Sequence, residues 1–183
     1  MKNKTFSICF LALSGSLLGP GLLTGCSDET ESIVAGIRSD NPAVREDKVV
    51  IARRFQDPAV IEALIESLQD ESIEVRNRAV FSLAELDAQE AAPALVSLLE
   101  TENDAEVRRA AIDAVGRLKN VAAVPALLEL VESLTPDDVP LNAIWALGNI
   151  GERSALPVLV KLRENAANPY VVFNANMALR KLR

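Results

Sequence analysis

An all-α fold, an α-solenoid of antiparallel helical hairpins, is predicted by three observations. Valines recur at Val44, Val75, Val107, Val139 and Val171, at spacings of 31, 32, 32 and 32 residues, within AVRED, EVRNRAV, EVRRAAI, DVPLNAI and YVVFNAN. A second set lies between them: PALVSLL, PALLELV and PVLVKLR open at Pro93, Pro125 and Pro157, and EALIESL from Glu62 is a fourth copy with glutamate in the proline's place. Composition agrees, because hydrophobic residues make up 49% of the 183 while aromatics are only 4%, a bias toward Ala, Leu and Val that suits helices packed at close range.

In chain order, SIVAGIRS aligns with the end of a second helix, so Ile33, Val34 and Ile37 are expected to cap the front of the stack. Four hairpins follow. Counted from each valine, offsets four, five, seven, eight and eleven are small or apolar: Ala79, Val80, Ser82, Leu83 and Leu86 in one copy, Ala111, Ile112, Ala114, Val115 and Leu118 in the next, then Ala143, Ile144, Ala146, Leu147 and Ile150. That is a 3.6-residue period with one buried stripe. Alanine lets neighbouring helices approach, and Gly116 and Gly148, near the helix ends, are expected to help the chain turn. Each proline opens a second helix, where a missing N–H costs little. The last copy stops after its first helix. The repeat domain is thus placed at 33–183, as four hairpins with a capping helix at each end, about 45 Å long if layers stack at roughly 10 Å.

The pattern of Val-Arg early in the first helix, Ala-Leu-Gly near its end and Pro-x-Leu in the second resembles HEAT-like repeats of the short kind first noted in phycobilin lyases. Val75-Arg76, Val107-Arg108, Ala146-Leu147-Gly148 and the three proline copies carry the resemblance, which covers Ile33 to Leu182. It departs late in the chain, where the position of Arg45, Arg76 and Arg108 is taken by Pro140 and Val172. The family resembled includes chromophore lyases and a di-iron hydroxylase that holds iron with His-Glu pairs. The chain has no histidine, which excludes the hydroxylase chemistry.

Residues 1–25 read as an export signal. MKNK supplies two positive charges, FSICFLALSGSLLGPGLL an apolar region, and Gly19, Pro20 and Gly21 interrupt it too early for a membrane-spanning helix. Leu23 to Cys26, LTGC, resembles the lipobox of bacterial lipoproteins. That resemblance implies cleavage before Cys26 and a thioether-linked diacylglycerol on it, anchoring the chain to the lipid bilayer. Ser27, rather than Asp, after the cysteine implies the outer membrane in enteric bacteria. The alternative is an ordinary secreted protein cleaved near Gly25, with one odd thiol. Residues 26–32 are read as the lipidated cysteine and a short tether, Ser27–Ser32, reaching at most about 20 Å.

The formal net charge is -7, and -9 without residues 1–25, which hold Lys2, Lys4 and no acid; a nucleic-acid partner is disfavoured. Without histidine the commonest general base, metal ligand and triad member are missing. No Gly-x-Ser-x-Gly, Ser-x-x-Lys, phosphate loop or EF-hand occurs, and GNIG, Gly148–Gly151, reads as a helix end. The carboxylate pairs Glu62/Glu66 and Glu129/Glu132 share helical faces and are read as solvated surface. No enzyme activity, cofactor or metal is expected.

Two surface candidates remain. Offsets two and six share a face that is polar at Glu46, Asn77 and Arg109 but becomes Leu141 with Trp145 and then Phe173 with Met177, with Tyr170 close by. These apolar residues either cover one another at the end of the array or form a site for a protein partner. The second helices offer a mildly acidic ridge, Glu66, Glu100, Glu129, Glu132 and Glu164, on the side that the resemblance implies curves inward. It is either solvated or a place for a basic segment. The function expected is a membrane-anchored interaction scaffold of the cell envelope, facing the periplasm or exterior. The alternatives are a lyase- or chaperone-like accessory factor for a cofactor-bearing protein, or a purely structural envelope lipoprotein.

Overall fold

The computed structural model describes residues 24–182, with side chains from Asp28 onward. Of the expected export signal only Thr24 and Gly25 fall among the described residues, and the Cys26 side chain lies outside them. Ten helices and no strand are found there: α1 Thr24–Ile37, α2 Pro42–Ala52, α3 Pro58–Glu66, α4 Ile73–Glu85, α5 Ala92–Thr101, α6 Ala105–Arg117, α7 Val124–Glu132, α8 Leu141–Ile150, α9 Leu156–Asn165 and α10 Pro169–Lys181. Helix α1 caps the front, α2/α3, α4/α5, α6/α7 and α8/α9 are the hairpins, and α10 closes the stack. This is the expected architecture.

The first helices begin where the sequence places a cap. Asn41, Ser72, Asp104 and Asn168 stand three residues before a repeat valine, and each accepts a hydrogen bond from a backbone N–H of the opening turn. In the fourth hairpin the cap position is Pro136 and the next turn meets Pro140, which has no N–H and cannot continue a turn begun before it. Helix α8 accordingly starts at Leu141, one turn late, and has 10 residues where α4, α6 and α10 have 13.

Prolines sit in the first turn of every second helix: Pro58, Pro93, Pro125 and Pro157. In the first hairpin the helix opens a turn earlier, at Pro58 on the Asp57 cap, so Glu62 keeps the proline's place in the repeat, two residues before the fully buried Leu64 as Pro93 is before Leu95, but lies inside the helix. The tether expectation also changes: Ser27–Ser32 lies within α1. As helix, six residues rise only about 9 Å.

The turning role assigned to Gly116 and Gly148 is corrected. Both lie inside helices. The left-handed residues that end the first helices are three positions further on, at Asp87 (φ 54), Lys119 (φ 52) and Gly151 (φ 81). What the two internal glycines permit is close approach. A Cβ at Gly148 would fall 2.6 Å from Ala178 Cα, and one at Gly116 would fall 2.6 Å from the Trp145 ring and 2.9 Å from Ala146 Cα.

That contact sets the curvature. Consecutive first helices, α2, α4, α6, α8 and α10, pack along one another through Ala, Gly and Ser, whereas α3, α5, α7 and α9 stand further apart. Unequal spacing in two layers bends a stack toward the tighter one. The first helices therefore line the inner side, which corrects the expectation that the second helices do. Between the layers runs one core, with Leu64, Leu83, Leu95, Leu127, Ile144, Leu147 and Leu159 fully buried. Polar groups tie the inner layer: Ser82 Oγ donates to Val49 O (2.8 Å), Asn142 Nδ2 to Arg109 O (3.1 Å) and Asn149 Nδ2 to Gly116 O (2.7 Å).

The repeat arginines stitch the inter-hairpin loops. Arg45 grips Asp70 in a fork (2.6 and 2.9 Å) and also donates to Ser39 O and Asp40 O. Arg76 repeats this on Glu102 (2.7 and 3.0 Å), Asp70 O and Glu71 O. The Glu102 carboxyl is held below the usual range by the Arg76 hydrogen bonds, against burial. At Asp70 burial pushes upward, but the Arg45 hydrogen bonds, the Ser72 N–H and both arginine charges outweigh it and leave the carboxyl low. The next acid of the series, 32 residues on, would be residue 134, and it is Leu134. Arg108 is left with the Asn103 carbonyl alone (3.3 Å).

Candidate functional site

The apolar residues of the last two repeats come together on the inner side, on adjacent helices α8 and α10. Trp145 is half-buried, its ring resting where Gly116 leaves room. Leu141 and Met177 are exposed beside it, Phe173 is 62% exposed and Tyr170 69%. The two largest rings of α10 are thus not covered by one another or by the end of the stack. The covering explanation accounts for Trp145 only in part and for Tyr170 and Phe173 not at all.

Backbone hydrogen bonds fix the start of the helix that carries this patch. Asn168 caps α10 through the Tyr170 N–H (3.0 Å), and its own N–H donates to Asp137 of the preceding loop (2.7 Å). Asp137 thereby ties the α7–α8 loop to the start of α10, at a junction that has no arginine fork. Lys181 closes the far edge: its ammonium lies 5.9 Å from the Trp145 ring centre and 3.2 Å from Asn149 Oδ1.

One residue of this face was not singled out in the sequence. Phe81, at offset six like Trp145 and Met177, is 44% exposed on α4. Its offset places it on this face, but offset two of the same copy is the polar Asn77, so the sequence shows no apolar pair there. Asp113 occupies offset six on α6, so Phe81 stands apart from the main patch.

The acidic ridge does not form a comparable site. Glu66, Glu100, Glu129, Glu132 and Glu164 are all exposed on second helices, now the outer layer. Glu66 is engaged by Arg38 in a two-bond fork (both 2.8 Å), whose hydrogen bonds and charge hold its carboxyl below the usual range. Glu164 pairs with Arg163 at 2.7 Å. Two surface hollows occur near the front of the stack, one of about 580 Å³ lined by Pro58, Ile61, Ile65, Leu86, Asp87 and Glu90 among others, the other beside Arg45 and Asp70. Neither includes any residue of the apolar patch. Among the described residues no cluster of three or more Cys, Asp or Glu is placed to hold a metal, and no helix is long and apolar enough to cross a membrane.

Solved structures share this fold. The complex of CpcE and CpcF of phycocyanin lyase from Nostoc sp. PCC7120 matches with a TM-score of 0.71 and 25% identity, over 96% of this chain and 69% of that one. A designed armadillo repeat protein in complex with the peptide (KR)4 matches at 0.63 and 24%, over 86% and 83%. An engineered protein matches at 0.63 and 24%, over 86% and 80%. No curated protein sequence matches. The profile of HEAT repeats matches three overlapping stretches, residues 30–116, 61–140 and 124–183. Together these cover residues 30–183, from the second half of the capping helix through every hairpin to the closing helix, and the chain belongs to the HEAT-repeat family.

Proposed function

We propose that this chain is a lipid-anchored interaction scaffold that binds another protein through the inner face of its last two repeats. The observation that carries the reading is the exposure of Phe173 and Tyr170 beside Trp145, on a face whose backbone is fixed by caps and close helix contacts. Aromatic and Met clusters of this kind mark interfaces. Stacked helical repeats offer area and shape for such binding, and a protein partner fits the repeat family.

The anchor belongs to the same proposal and rests on Leu23-Thr24-Gly25-Cys26 behind a basic and apolar leader. A lipid on Cys26 joins the stack at the start of α1, the end opposite α10. The bilayer then holds the first repeat and the patch faces outward from the far end. The test is affinity capture of the anchored protein from membranes, repeated with Trp145→Ala and Phe173→Ala. Loss of one dominant partner in both variants supports the site. A partner retained undiminished by both places binding elsewhere. Anchoring is tested separately: Cys26→Ser should release the protein into the soluble fraction, and continued membrane retention of the variant counts against lipidation.

A second reading is favoured by one observation, the likeness to the phycocyanin lyase chains over 96% of this chain. In it the protein is an accessory factor for a cofactor-bearing partner. Visible absorbance in the captured partner separates this reading from a plain scaffold.

A further inference from the structure

The inner face changes its charge along the stack. Helices α8 and α10 contain no acidic residue, and their only charges are Arg180 and Lys181. The whole chain has a formal charge of -7, so this strip runs against the sign of the molecule. Arg117 adds to it from α6: it follows Gly116, on which the Trp145 ring rests, and it is exposed. Among the described residues none of Arg117, Arg180 and Lys181 enters an ion pair. The carboxylates nearest in the repeat pattern are Asp113, half-buried one turn earlier on α6, and Glu85, at the same offset on α4, which Arg53 already engages at 3.4 Å.

Cations in a last helical turn complement the carbonyl ends of the helix, and that accounts for their placement in sequence. It leaves the ammonium and guanidinium donors open to a further partner. Lys181, exposed, has its ammonium 5.9 Å from the centre of the Trp145 ring. Met177 and Lys181 are four residues apart, so the apolar strip and the cationic strip lie one turn apart, about 6 Å along the helix.

We propose that this face takes a partner segment in which large apolar side chains are accompanied by carboxylates. The apolar groups lie against Trp145, Phe173 and Met177, and the carboxylates pair with Lys181 and Arg117. The inference rests on the patch being the partner site and adds the charge class of what binds there. An anionic bilayer offers the same two chemistries, but an inward-curving face meets a narrow segment along its length and a plane only at its rims.

Trp145 is the only tryptophan, so its emission reports occupancy directly. The probes are a short synthetic peptide with Phe and Leu set among glutamates, the same peptide with lysine for every glutamate, and phosphatidylglycerol vesicles. The full mature chain should bind the acidic peptide saturably and at least about tenfold more tightly than the lysine peptide at low salt. The gap should narrow as salt rises. In Lys181→Glu with Arg117→Glu, two exposed positions, the preference should reverse while the helical circular dichroism stays unchanged. Equal binding of the two peptides, preference for lysine, no response to either, or a response to vesicles alone overturns the proposal. Membrane capture separates the two levels. If Trp145→Ala and Phe173→Ala abolish it while the Glu variants leave it intact, the partner site stands and the acidic class falls. If neither pair changes it, both fall.

Discussion

Arg108 is where the internal stitching stops. Arg45 and Arg76 each meet a carboxylate 25 or 26 residues later, Asp70 and Glu102, whose side chains are only 10% and 5% exposed. Leu134 occupies the next place and is itself more than one-third exposed, so little burial is lost by changing it. Leu134→Glu should give Arg108 the missing fork and raise stability by about 0.5 kcal/mol, as partly exposed ion pairs do. Urea denaturation checks this, with Arg108→Ala in both backgrounds as a double-mutant cycle. A gain that persists without Arg108 would assign it to another cause. Asp87 and Lys119 make a second residue-scale case, because side chains other than glycine hold left-handed φ there. Lys119→Gly should stabilise by about 0.5–1 kcal/mol by relieving that conformation, and Gly151→Ala, at φ 81, should destabilise by a similar amount. Thermal unfolding of the two variants tests the pair, and the two shifts must have opposite signs.

The helices and their pairing are legible in the sequence because the copies of the 32-residue unit repeat one buried stripe, with a polar cap on four of the five first helices and a proline in the opening turn of every second helix. Five copies average out the local ambiguity of any one. The direction of curvature is not legible there, since it depends on the difference between two inter-helix spacings, each set by side chains from neighbouring copies. Gly148 shows the point: in one copy it looks like a helix terminator, and only the position of Ala178 against it reveals a contact surface. Gly148→Ala should therefore cost about 1–3 kcal/mol through overpacking, although alanine is the better helix former. Gly148→Ala with no loss of denaturation midpoint would show that α10 shifts freely, and the first-helix layer would not be close-packed. The site was half legible for the same reason. Offsets two and six put Leu141, Trp145, Phe173 and Met177 on one face, but whether that face is covered depends on a layer above it that this chain does not supply.

On the scale of the whole molecule, the two ends of the array are held by different forces. The front half relies on carboxylates that ion pairs keep deprotonated: Glu66 with Arg38, Asp70 with Arg45 and Glu102 with Arg76. The back half, from α6 to α10, relies on close apolar contact through Gly116, Ala146, Gly148 and Ala178, with Trp145 at its centre. Each of the three carboxyls is depressed in the folded state. A depressed carboxyl contributes stability that is present above its unfolded pKa, near 4, and is lost as pH falls through the lower folded value. Protonation thus withdraws stability from the front half below about pH 4 and takes little from the back half. In a repeat array each unit touches only its neighbours, so unequal loss favours unfolding from one end. On acid titration the far-UV circular dichroism should therefore decline before the emission of Trp145 changes, and Asp70→Asn, which removes one of the three carboxyls from the titration, should narrow the gap between the two transitions. Coincident transitions at every pH would mean that the stack melts as one unit and that the arginine forks do not divide it.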